Sequence, residues 1–260
     1  MPEVFVRREG PVATVVFSNP AKLNALNTEM WRSIPEIVSR LDRDSDVRVI
    51  VYAGDGDRAF VSGADISEFE QNRVTPDATE QHGTAVENAY LAASACSKPV
   101  IAKIRGICMG GGLGLAAGCD LRICSDDSVF RMPAARLGLS YGYTGLQRFV
   151  NLIGPAHAAD IFFSARKFSA ADALAMGFVQ RVVAGAELDG EVQSYCEIVA
   201  QNAPFTIAAS KRCIVEGLKE PGERDMRAIE RSHKACFSSE DYKEGAKAFM
   251  EKRPPRFKGR

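Results

Sequence analysis

The sequence has no excess charge of either sign, no long apolar run and few metal-binding side chains. Its 33 Lys and Arg balance its 33 Asp and Glu, so no global electric field attracts nucleic acid or an anionic membrane. No apolar segment approaches the length that crosses a bilayer, and residues 1–10 are polar and charged, unlike a signal peptide. We therefore expect no nucleic-acid partner and no membrane partner.

Cysteine and histidine are present, but not in patterns that form disulfides or bind metals. The seven cysteines are odd in number, scattered and without a C-x-x-C pair, which is typical of reduced thiols in a cytoplasmic protein. The three histidines, His82, His157 and His233, stand in unrelated contexts, which argues against a zinc site. The sequence therefore predicts a cytoplasmic protein with no metal.

The composition and the order of the elements predict an α/β chain with a helical end. The 260 residues are 46% hydrophobic and 25% charged, which is ordinary for a globular protein that buries a sizeable core. Strand patterns alternate with helical patterns up to about residue 187, and only helical patterns follow. We predict a layered α/β core over residues 1–187 and a helical region over residues 188–260.

Residues 98–120, KPVIAKIRGICMGGGLGLAAGCD, organise the rest of the chain. A short apolar run over residues 100–104 predicts a buried parallel strand. Three consecutive glycines, Gly110 to Gly112, follow it, and then a small-residue helix. The first turn of a helix has N–H groups without internal partners and favours negative charge. This segment can therefore aim backbone N–H groups at a ligand.

Three interpretations of the glycine loop are open from the residues alone. Gly112, Gly114 and Ala117 fit the G-x-G-x-x-A pattern that binds the pyrophosphate of a dinucleotide. The same N–H groups could instead form an oxyanion hole, which stabilises charge that develops on a carbonyl oxygen. The glycines could also serve only to pack the strand against the helix.

Two further segments favour a site built from loops. Residues 59–66, AFVSGADI, form a second small-residue loop that runs into a helix and can also present free N–H groups. Residues 130–145, FRMPAARLGLSYGYTG, are irregular and rich in Gly, Pro and Tyr. Loops of this kind carry function when a rigid scaffold holds them.

Four segments together resemble the crotonase, or enoyl-CoA hydratase/isomerase, superfamily in their order and spacing. They are residues 19–26, 59–66, 98–120 and 169–177. The resemblance implies a spiral of ββα turns, C-terminal helices that form a homotrimer or a hexamer, and an acyl-CoA thioester as substrate. Coenzyme A is then part of the substrate, and no tightly bound cofactor is implied. The dinucleotide interpretation loses support, because Asp126 and Asp127 come too early for the acidic residue expected about 20 residues on.

The resemblance assigns roles to individual positions of this chain. The N–H groups of Ala64 and Gly111 match the pair that holds the thioester oxygen and stabilises an enolate. The positions that match the family's coenzyme A site are Lys22, Ala25, Ser62, Ala64, Asp65 and Ile66. Phe249 and Lys252 match C-terminal residues that reach coenzyme A, in some members from a neighbouring subunit.

Simpler structural roles compete with three of these assignments. Asp65 can cap the helix that starts beside it, which is the interpretation we favour. Lys22 can be an ordinary surface lysine. Phe249 can pack within its own chain, unless the trimer forms and places it elsewhere.

The chain departs from the family at the two glutamates that place and activate water in a hydratase. One glutamate belongs two residues after the glycine triad, where this chain has Gly114. The other belongs after the proline of the irregular loop, where Pro133 is followed by Ala134. Neither residue can move a proton, so the hydratase mechanism fails in its usual form. The second absence also counts against the family's Δ3-Δ2 isomerases that rely on that glutamate.

Residues 137–141, LGLSY, resemble the methylmalonyl-CoA decarboxylase branch of the family, whose active-site tyrosine falls at Tyr141, close to Tyr143. Residues 239–245 resemble the same branch, although that branch has histidine where this chain has Ala64. Decarboxylation needs an oxyanion hole and a group that twists or desolvates the carboxylate, but no base. The Tyr141 hydroxyl could do this or protonate the enolate. Alternatively, Tyr141 could simply pack its ring and bond a backbone carbonyl.

Three functions are therefore open. The first is a lyase that works through a thioester enolate without glutamates, either a decarboxylase of a malonyl-type thioester or another lyase. The second is a hydratase or isomerase whose base comes from elsewhere, for example from Glu68 or a tyrosine. The third is a crotonase fold that binds acyl-CoA without turnover.

Overall fold

Two β-sheets lie at the centre of the computed structural model, which describes residues 1–68 and 76–260. Within these residues the larger sheet contains, in spatial order, β1 (Glu3–Glu9), β2 (Val12–Ser18), β3 (Val49–Gly54), β5 (Val100–Ile104), β7 (Leu121–Ser125) and β10 (Arg181–Val183). The smaller sheet contains β4 (Ala59–Val61), β6 (Ile107–Met109), β8 (Val129–Arg131) and β9 (Lys167–Ser169). The β1–β2 and β8–β9 pairs are antiparallel, and the other neighbours are parallel.

Helices follow the strands in a repeating order. They are α1 (Thr28–Arg43), α2 (Pro76–Ala95), α3 (Gly111–Gly118), α4 (Tyr143–Ser164), α5 (Ala170–Ala175), α6 (Leu188–Ala200), α7 (Pro204–Gly217), α8 (Met226–Ser238) and α9 (Glu240–Met250). Three times in succession the chain passes through a strand of the larger sheet, a strand of the smaller sheet and a helix. This order confirms the predicted α/β spiral of ββα turns. Of the helices in the described residues, none has the length and apolarity to cross a bilayer.

The central strands are apolar throughout because both of their faces are buried. On β3, Ile50 and Tyr52 face the main core, which also contains side chains of α1 and α2. Val49 and Val51 face the opposite side, where α6 covers the larger sheet. The continuous apolar runs of the sequence therefore correspond to strands between two layers of helix.

The C-terminal helices are anchored to the sheet by a buried lysine. The Lys211 ammonium group of α7 donates to the Ala93 and Lys98 carbonyl oxygens at 2.7 and 2.8 Å and to the Asp120 carboxylate at 2.7 Å. The same Asp120 carboxylate accepts the Val100 N–H at 2.7 Å. From Leu188 onward the chain contains helices and connections, as expected, while the division into regions at residue 187 stays a prediction.

Parallel pairing in the smaller sheet brings three loops to one edge. β4 pairs with β6, and β6 pairs with β8, both in parallel. The carboxyl ends of parallel strands meet at the same edge of a sheet. Residues 62–65, the glycine loop at 110–111 and residues 132–142 therefore lie next to one another. They belong to the three segments that were predicted from the sequence to carry function.

Candidate active site

A cavity of about 390 Å³ opens at this edge of the smaller sheet. Its volume falls in the range of small-molecule sites. The loops after β4, β6 and β8 line it, together with one face of α2 and the indole ring of Trp31. Its lining includes Ser62, Gly63, Ala64, Gly110, Gly111, Pro133, Ala134 and Tyr141 from the loops and His82, Val86, Glu87 and Tyr90 from α2.

Two backbone N–H groups of the lining, those of Ala64 and Gly111, have no acceptor among the described residues. Ala64 forms a parallel β-bridge with Leu26. The two backbone hydrogen bonds of this bridge involve Gly63 and Asp65, the neighbours of Ala64, and not Ala64 itself. The Leu26 N–H donates to the Gly63 carbonyl at 2.9 Å, and the Asp65 N–H donates to the Leu26 carbonyl at 2.8 Å. The Ala64 N–H therefore points away from Leu26. Gly111 begins α3, where an N–H has no partner inside the helix.

Glycine backbone brings the two segments that carry these N–H groups into contact. A Cβ built on Gly63 would lie 3.8 Å from the Gly111 nitrogen, so the residue before Ala64 contacts the start of α3. Gly110 has a φ of +51°, in the left-handed region that favours glycine. Two N–H groups at one point can hold a single thioester oxygen and stabilise the negative charge of an enolate. The role of these two groups as an oxyanion hole stays a prediction.

Two tyrosines fill the space beside Gly114, the first position where a hydratase glutamate is absent. A Cβ built on Gly114 would lie 2.6 Å from Cε1 of Tyr90 and 2.7 Å from the Tyr141 hydroxyl oxygen, closer than a real Cβ can approach. The two hydroxyl oxygens are 3.0 Å apart, within hydrogen-bond distance, and the rings stack at an angle of 19°. A glutamate at position 114 would therefore have no room in this arrangement.

Burial determines the protonation state of Tyr141. It raises the pKa of the Tyr141 hydroxyl to about 12, although the hydrogen bond with Tyr90 and the charge of Arg148 act in the opposite direction. The phenol therefore keeps its proton at neutral pH and can donate a hydrogen bond. The interpretation in which Tyr141 bonds a backbone carbonyl is wrong, because its partner is the Tyr90 hydroxyl.

The neighbouring tyrosine has a different environment. Tyr143 begins α4 and is 77% exposed, and it is not part of the cavity lining. Tyr141 lines the cavity and contacts the rings of Phe149 and Phe162 edge to face, with centroids 6.3 and 5.2 Å away. Of these two neighbouring tyrosines, Tyr141 is the one that lines the cavity.

Charged side chains are scarce in the cavity. Ala134, the second position where a glutamate is absent, lines it with a methyl group. Of the described residues that form the lining, Glu87 supplies the one carboxylate, His82 supplies the one imidazole, and neither Lys nor Arg contributes. Glu87 is exposed and His82 is half-buried. No group of three His, Cys, Asp or Glu side chains within residues 1–68 and 76–260 could hold a metal ion.

Comparison with known proteins identifies the family. The family model described as enoyl-CoA hydratase/isomerase matches residues 7–260. The chain belongs to the enoyl-CoA hydratase/isomerase family. It is 32% identical over 250 residues to a short-chain-enoyl-CoA hydratase of Clostridium acetobutylicum, with 96% of this chain and 95% of the relative covered. It is 33% identical over 254 residues to a crotonyl-CoA hydratase of Syntrophomonas wolfei, with 98% and 97% covered.

Solved structures of the family have the same fold as this chain. An enoyl-CoA hydratase/carnitine racemase of Magnetospirillum magneticum superposes with a TM-score of 0.93 at 33% identity, over 100% of this chain and 97% of that one. An enoyl-CoA hydratase of Geobacillus kaustophilus superposes with a TM-score of 0.88 at 34% identity, over 99% and 98%. The resemblance found in the sequence is confirmed, and this member of the family lacks carboxylates at positions 114 and 134.

The residues predicted to line the coenzyme A site of this family member fall into two groups. Ser62 and Ala64 line the cavity, whereas Lys22, Ala25 and Asp65 are not part of its described lining. The Lys22 ammonium group is 2.9 and 2.7 Å from the two Asp65 carboxylate oxygens. Lys22 is therefore more than a free surface lysine, and Ala25 is buried. Ile66 begins a short 3-10 turn, Ile66–Glu68, and its side chain lies outside the described part of the chain.

Asp65 has the capping role that we favoured. Its carboxylate accepts the Ser67 N–H at 3.0 Å and the Ser67 hydroxyl at 2.8 Å. Partial burial alone would raise the pKa of Asp65, but the hydrogen bonds from Lys22 and Ser67 together hold that pKa below its usual value. Asp65 thus fixes the turn that follows Ala64.

The two C-terminal residues predicted at coenzyme A are outside the cavity lining of this single chain. Phe249 lies on α9 and is 82% exposed, so its expected packing within the chain is wrong. Lys252 follows α9 and is exposed. A role for either residue at coenzyme A stays a prediction that requires a second subunit.

Glu68, the expected displaced base, is engaged away from the cavity. Its carboxylate accepts the Thr28 N–H at 2.8 Å and the Thr28 hydroxyl at 2.9 Å, and it is absent from the described lining. The sequence interpretation missed Tyr90, Glu87 and His82, all from α2. The available signal was helical spacing, because residues 82, 86, 87 and 90 lie on one face of a helix.

Proposed function

We propose that the protein is an acyl-CoA lyase that decarboxylates a malonyl-type thioester through an enolate. The observation that carries this proposal is the tyrosine pair beside Gly114, where the glutamate of a hydratase would have to be. A reaction that needs no base suits a site without those carboxylates. The N–H groups of Ala64 and Gly111 would hold the thioester oxygen while the carbon–carbon bond to the carboxylate breaks. One such donor typically contributes about 3 kcal/mol to lowering the barrier.

The composition of the cavity lining supports a reaction in which the substrate loses a carboxylate. No Lys or Arg lies in the described lining to neutralise a bound carboxylate. A carboxylate in such surroundings is destabilised, and its departure as CO2 relieves the cost. The Tyr141 hydroxyl, which stays protonated, would donate one hydrogen bond that holds the carboxylate out of the plane of the thioester.

Substitution of Tyr141 tests this proposal. Methylmalonyl-CoA would be incubated with the wild type and with Tyr141→Phe, and CO2 release would be measured. Tyr143→Phe is the matched control, because that side chain is exposed and outside the cavity. We expect Tyr141→Phe to lower turnover by about 10²-fold or more and Tyr143→Phe to leave it unchanged. Equal turnover in all three proteins would refute the role of Tyr141.

Hydration is the second candidate, since the curated relatives named above are hydratases. The observation that favours it is Glu87, which brings a carboxylate to the cavity from α2. If Glu87 activates water, crotonyl-CoA is hydrated by the wild type and about 10²-fold more slowly by Glu87→Gln. Tight acyl-CoA binding without any product from either thioester would instead support a binding protein.

The coenzyme A site and the assembly are proposed together. Ser62, Ala64 and the turn at Asp65 and Ile66 would border the path of coenzyme A, with Lys22 and Ala25 behind them. Helices α7, α8 and α9 form an apolar groove with exposed side chains that include Ile214, Met226 and Phe237. Phe249, which is outside the lining of this groove, is also exposed on α9. We propose that a homotrimer or hexamer covers this face and brings Phe249 and Lys252 to a neighbouring site. Light scattering of the purified protein should give a mass of three or six chains.

A further inference from the structure

Tyr90 of α2 lies against the first turn of α3, beside the tyrosine that the proposed reaction uses. A Cβ built on Gly111 would lie 3.5 Å from the Tyr90 hydroxyl oxygen, and one built on Gly114 would lie 2.4 Å from Cζ of the same ring. The Tyr90 hydroxyl oxygen is 3.0 Å from that of Tyr141. Both side chains line the cavity. Tyr90 therefore lies between the Gly111 end of α3 and Tyr141.

Tyr90 is held both at its ring and at its backbone. Trp31 packs against the ring edge to face, with centroids 5.7 Å apart and planes at 89°. Nη1 of Arg148, from α4, donates to the Tyr90 carbonyl oxygen at 2.8 Å. The residue is only 8% exposed. The position of its hydroxyl oxygen is therefore fixed, while the O–H bond is free to rotate to suit its partners.

The two hydroxyl groups of the tyrosine pair carry two protons but share one hydrogen bond. A tyrosine hydroxyl donates one proton and also accepts, and one of the two protons is used in the bond between Tyr90 and Tyr141. Among residues 1–68 and 76–260, neither hydroxyl has another hydrogen-bond partner. The pair therefore keeps one proton for an acceptor in the cavity.

From this arrangement we propose that Tyr90 is a positioning residue for Tyr141, because it donates to the Tyr141 oxygen while Tyr141 donates to the substrate carboxylate. The inference rests on the proposed function, in which the Tyr141 hydroxyl holds that carboxylate. An ionised carboxylate only accepts hydrogen bonds, so the Tyr141 proton is directed to the substrate. The bond within the pair is then the one that Tyr90 donates. Only O–H bonds rotate, and each oxygen keeps its own proton.

Donation by Tyr90 has two effects on Tyr141. A hydroxyl group that accepts a hydrogen bond is polarised and becomes a stronger donor. The bond also occupies one lone pair of the Tyr141 oxygen, which restricts the direction of its proton. Both effects favour a substrate group that only accepts, such as the carboxylate of a malonyl-type thioester. Propionyl-CoA, the product of methylmalonyl-CoA decarboxylation, has no carboxylate and should not depend on Tyr90.

Kinetics of Tyr90→Phe test the inference, because this variant keeps the ring and removes only the hydroxyl. We expect kcat/KM for methylmalonyl-CoA decarboxylation to fall about threefold to tenfold, the effect of losing one hydrogen bond. In the Tyr141→Phe background the same substitution should change kcat/KM by less than about twofold, because Tyr90 acts through Tyr141. Inhibition by propionyl-CoA should be unchanged, whereas a distorted cavity would alter it. Equal falls in both backgrounds, no fall with Tyr141 present, or weaker propionyl-CoA inhibition would overturn the inference.

Tyr52→Phe is the matched control for the loss of a buried hydroxyl. Tyr52 lies on β3 in the main core and outside the cavity lining, and its hydroxyl has no partner in the described part of the chain. Its kcat/KM should match the wild type, and a fall like that of Tyr90→Phe would overturn the inference. Urea unfolding tests the pair without substrate. The midpoint shift of Tyr90→Phe/Tyr141→Phe should be smaller than the sum of the two single shifts, because both remove the same bond; additive shifts would contradict the pair.

Failure of the proposed function gives a different result. If the wild type releases no CO2 from methylmalonyl-CoA, decarboxylation of that thioester is refuted, and calorimetry can measure its binding without turnover. Tyr90→Phe should then bind methylmalonyl-CoA about threefold to tenfold more weakly than the wild type and propionyl-CoA equally well. Equal affinity of the two proteins for methylmalonyl-CoA, or no binding of it by the wild type, would overturn the role of Tyr90.

Discussion

A methyl group added at Gly114 should reveal how tightly the tyrosine pair occupies the glutamate position. In Gly114→Ala the new Cβ would lie 2.6 Å from Cε1 of Tyr90 and 2.7 Å from the Tyr141 hydroxyl oxygen. Both rings are held by other rings, Tyr90 by Trp31 and Tyr141 by Phe162. Overpacking of this kind costs about 1–3 kcal/mol. The rings cannot yield without moving the Tyr141 hydroxyl in the cavity.

Gly190→Ala is the matched control for this substitution. Gly190 lies within α6, and no atom lies within 4 Å of a Cβ built there. Alanine in place of a helical glycine stabilises by about 0.5–1 kcal/mol, and position 114 in α3 gains the same benefit. The difference between the two variants therefore isolates the overpacking. In urea unfolding, we expect Gly114→Ala to be about 1–3 kcal/mol less stable than Gly190→Ala.

Turnover of methylmalonyl-CoA should fall in Gly114→Ala and stay unchanged in Gly190→Ala, because only the first displaces Tyr141. Equal stability and equal turnover of the two variants would refute the argument that the tyrosine pair fills this space. Hydration of crotonyl-CoA by Gly114→Glu at a stability near that of the wild type would refute it as well.

Two further substitutions and one titration test other parts of the site. Gly111→Ala places a Cβ 2.8 Å from Cζ2 of Trp31, so the substitution should shift the Gly111 N–H donor. We expect turnover to fall by about 10²- to 10³-fold. A fall below about threefold in steady-state kinetics would contradict the role of the Gly111 N–H in the reaction. Asp65→Asn should be less stable than the wild type at pH 7. Because the folded pKa of Asp65 is lowered, this difference should persist above the unfolded pKa of about 3.9 and disappear as the pH falls through the folded pKa. Urea unfolding across that range checks it, and a difference that grows with acid would contradict the sign. The turnover of the wild type should show no ionisation from Tyr141 between about pH 6 and 10, since its pKa is about 12; a group in that range that Tyr141→Phe abolishes would contradict this.

Local patterns were sufficient to predict the architecture and the backbone part of the site. The apolar runs of β3 and β5 predict buried parallel strands, because strands between two helical layers need apolar side chains on both faces. The glycines around Gly111 and the small residues around Ala64 predict free N–H groups, because such groups depend on the local backbone. Parallel pairing of the short strands then places the two loops side by side.

The side chains contributed by α2 could not be predicted in this way. Tyr90 fills the space beside Gly114 and His82 reaches Thr28 only through the packing of α2 against distant segments. Neither contact can be predicted from the residues that surround Gly114 or Thr28 in the sequence. The distinction between Tyr141 and Tyr143 likewise depends on where α4 begins, since the helix start turns Tyr143 outward. Phe249 is exposed in one chain, so a single sequence cannot show what covers it.

The most direct test of the account is a comparison of methylmalonyl-CoA and crotonyl-CoA as substrates of the wild-type protein at the same high concentration. CO2 release would follow the first, and loss of the enoyl absorbance would follow the second. The account predicts rapid decarboxylation and little or no hydration, because positions 114 and 134 carry no carboxylate. Rapid hydration of crotonyl-CoA without CO2 release would contradict it and would direct attention to Glu87.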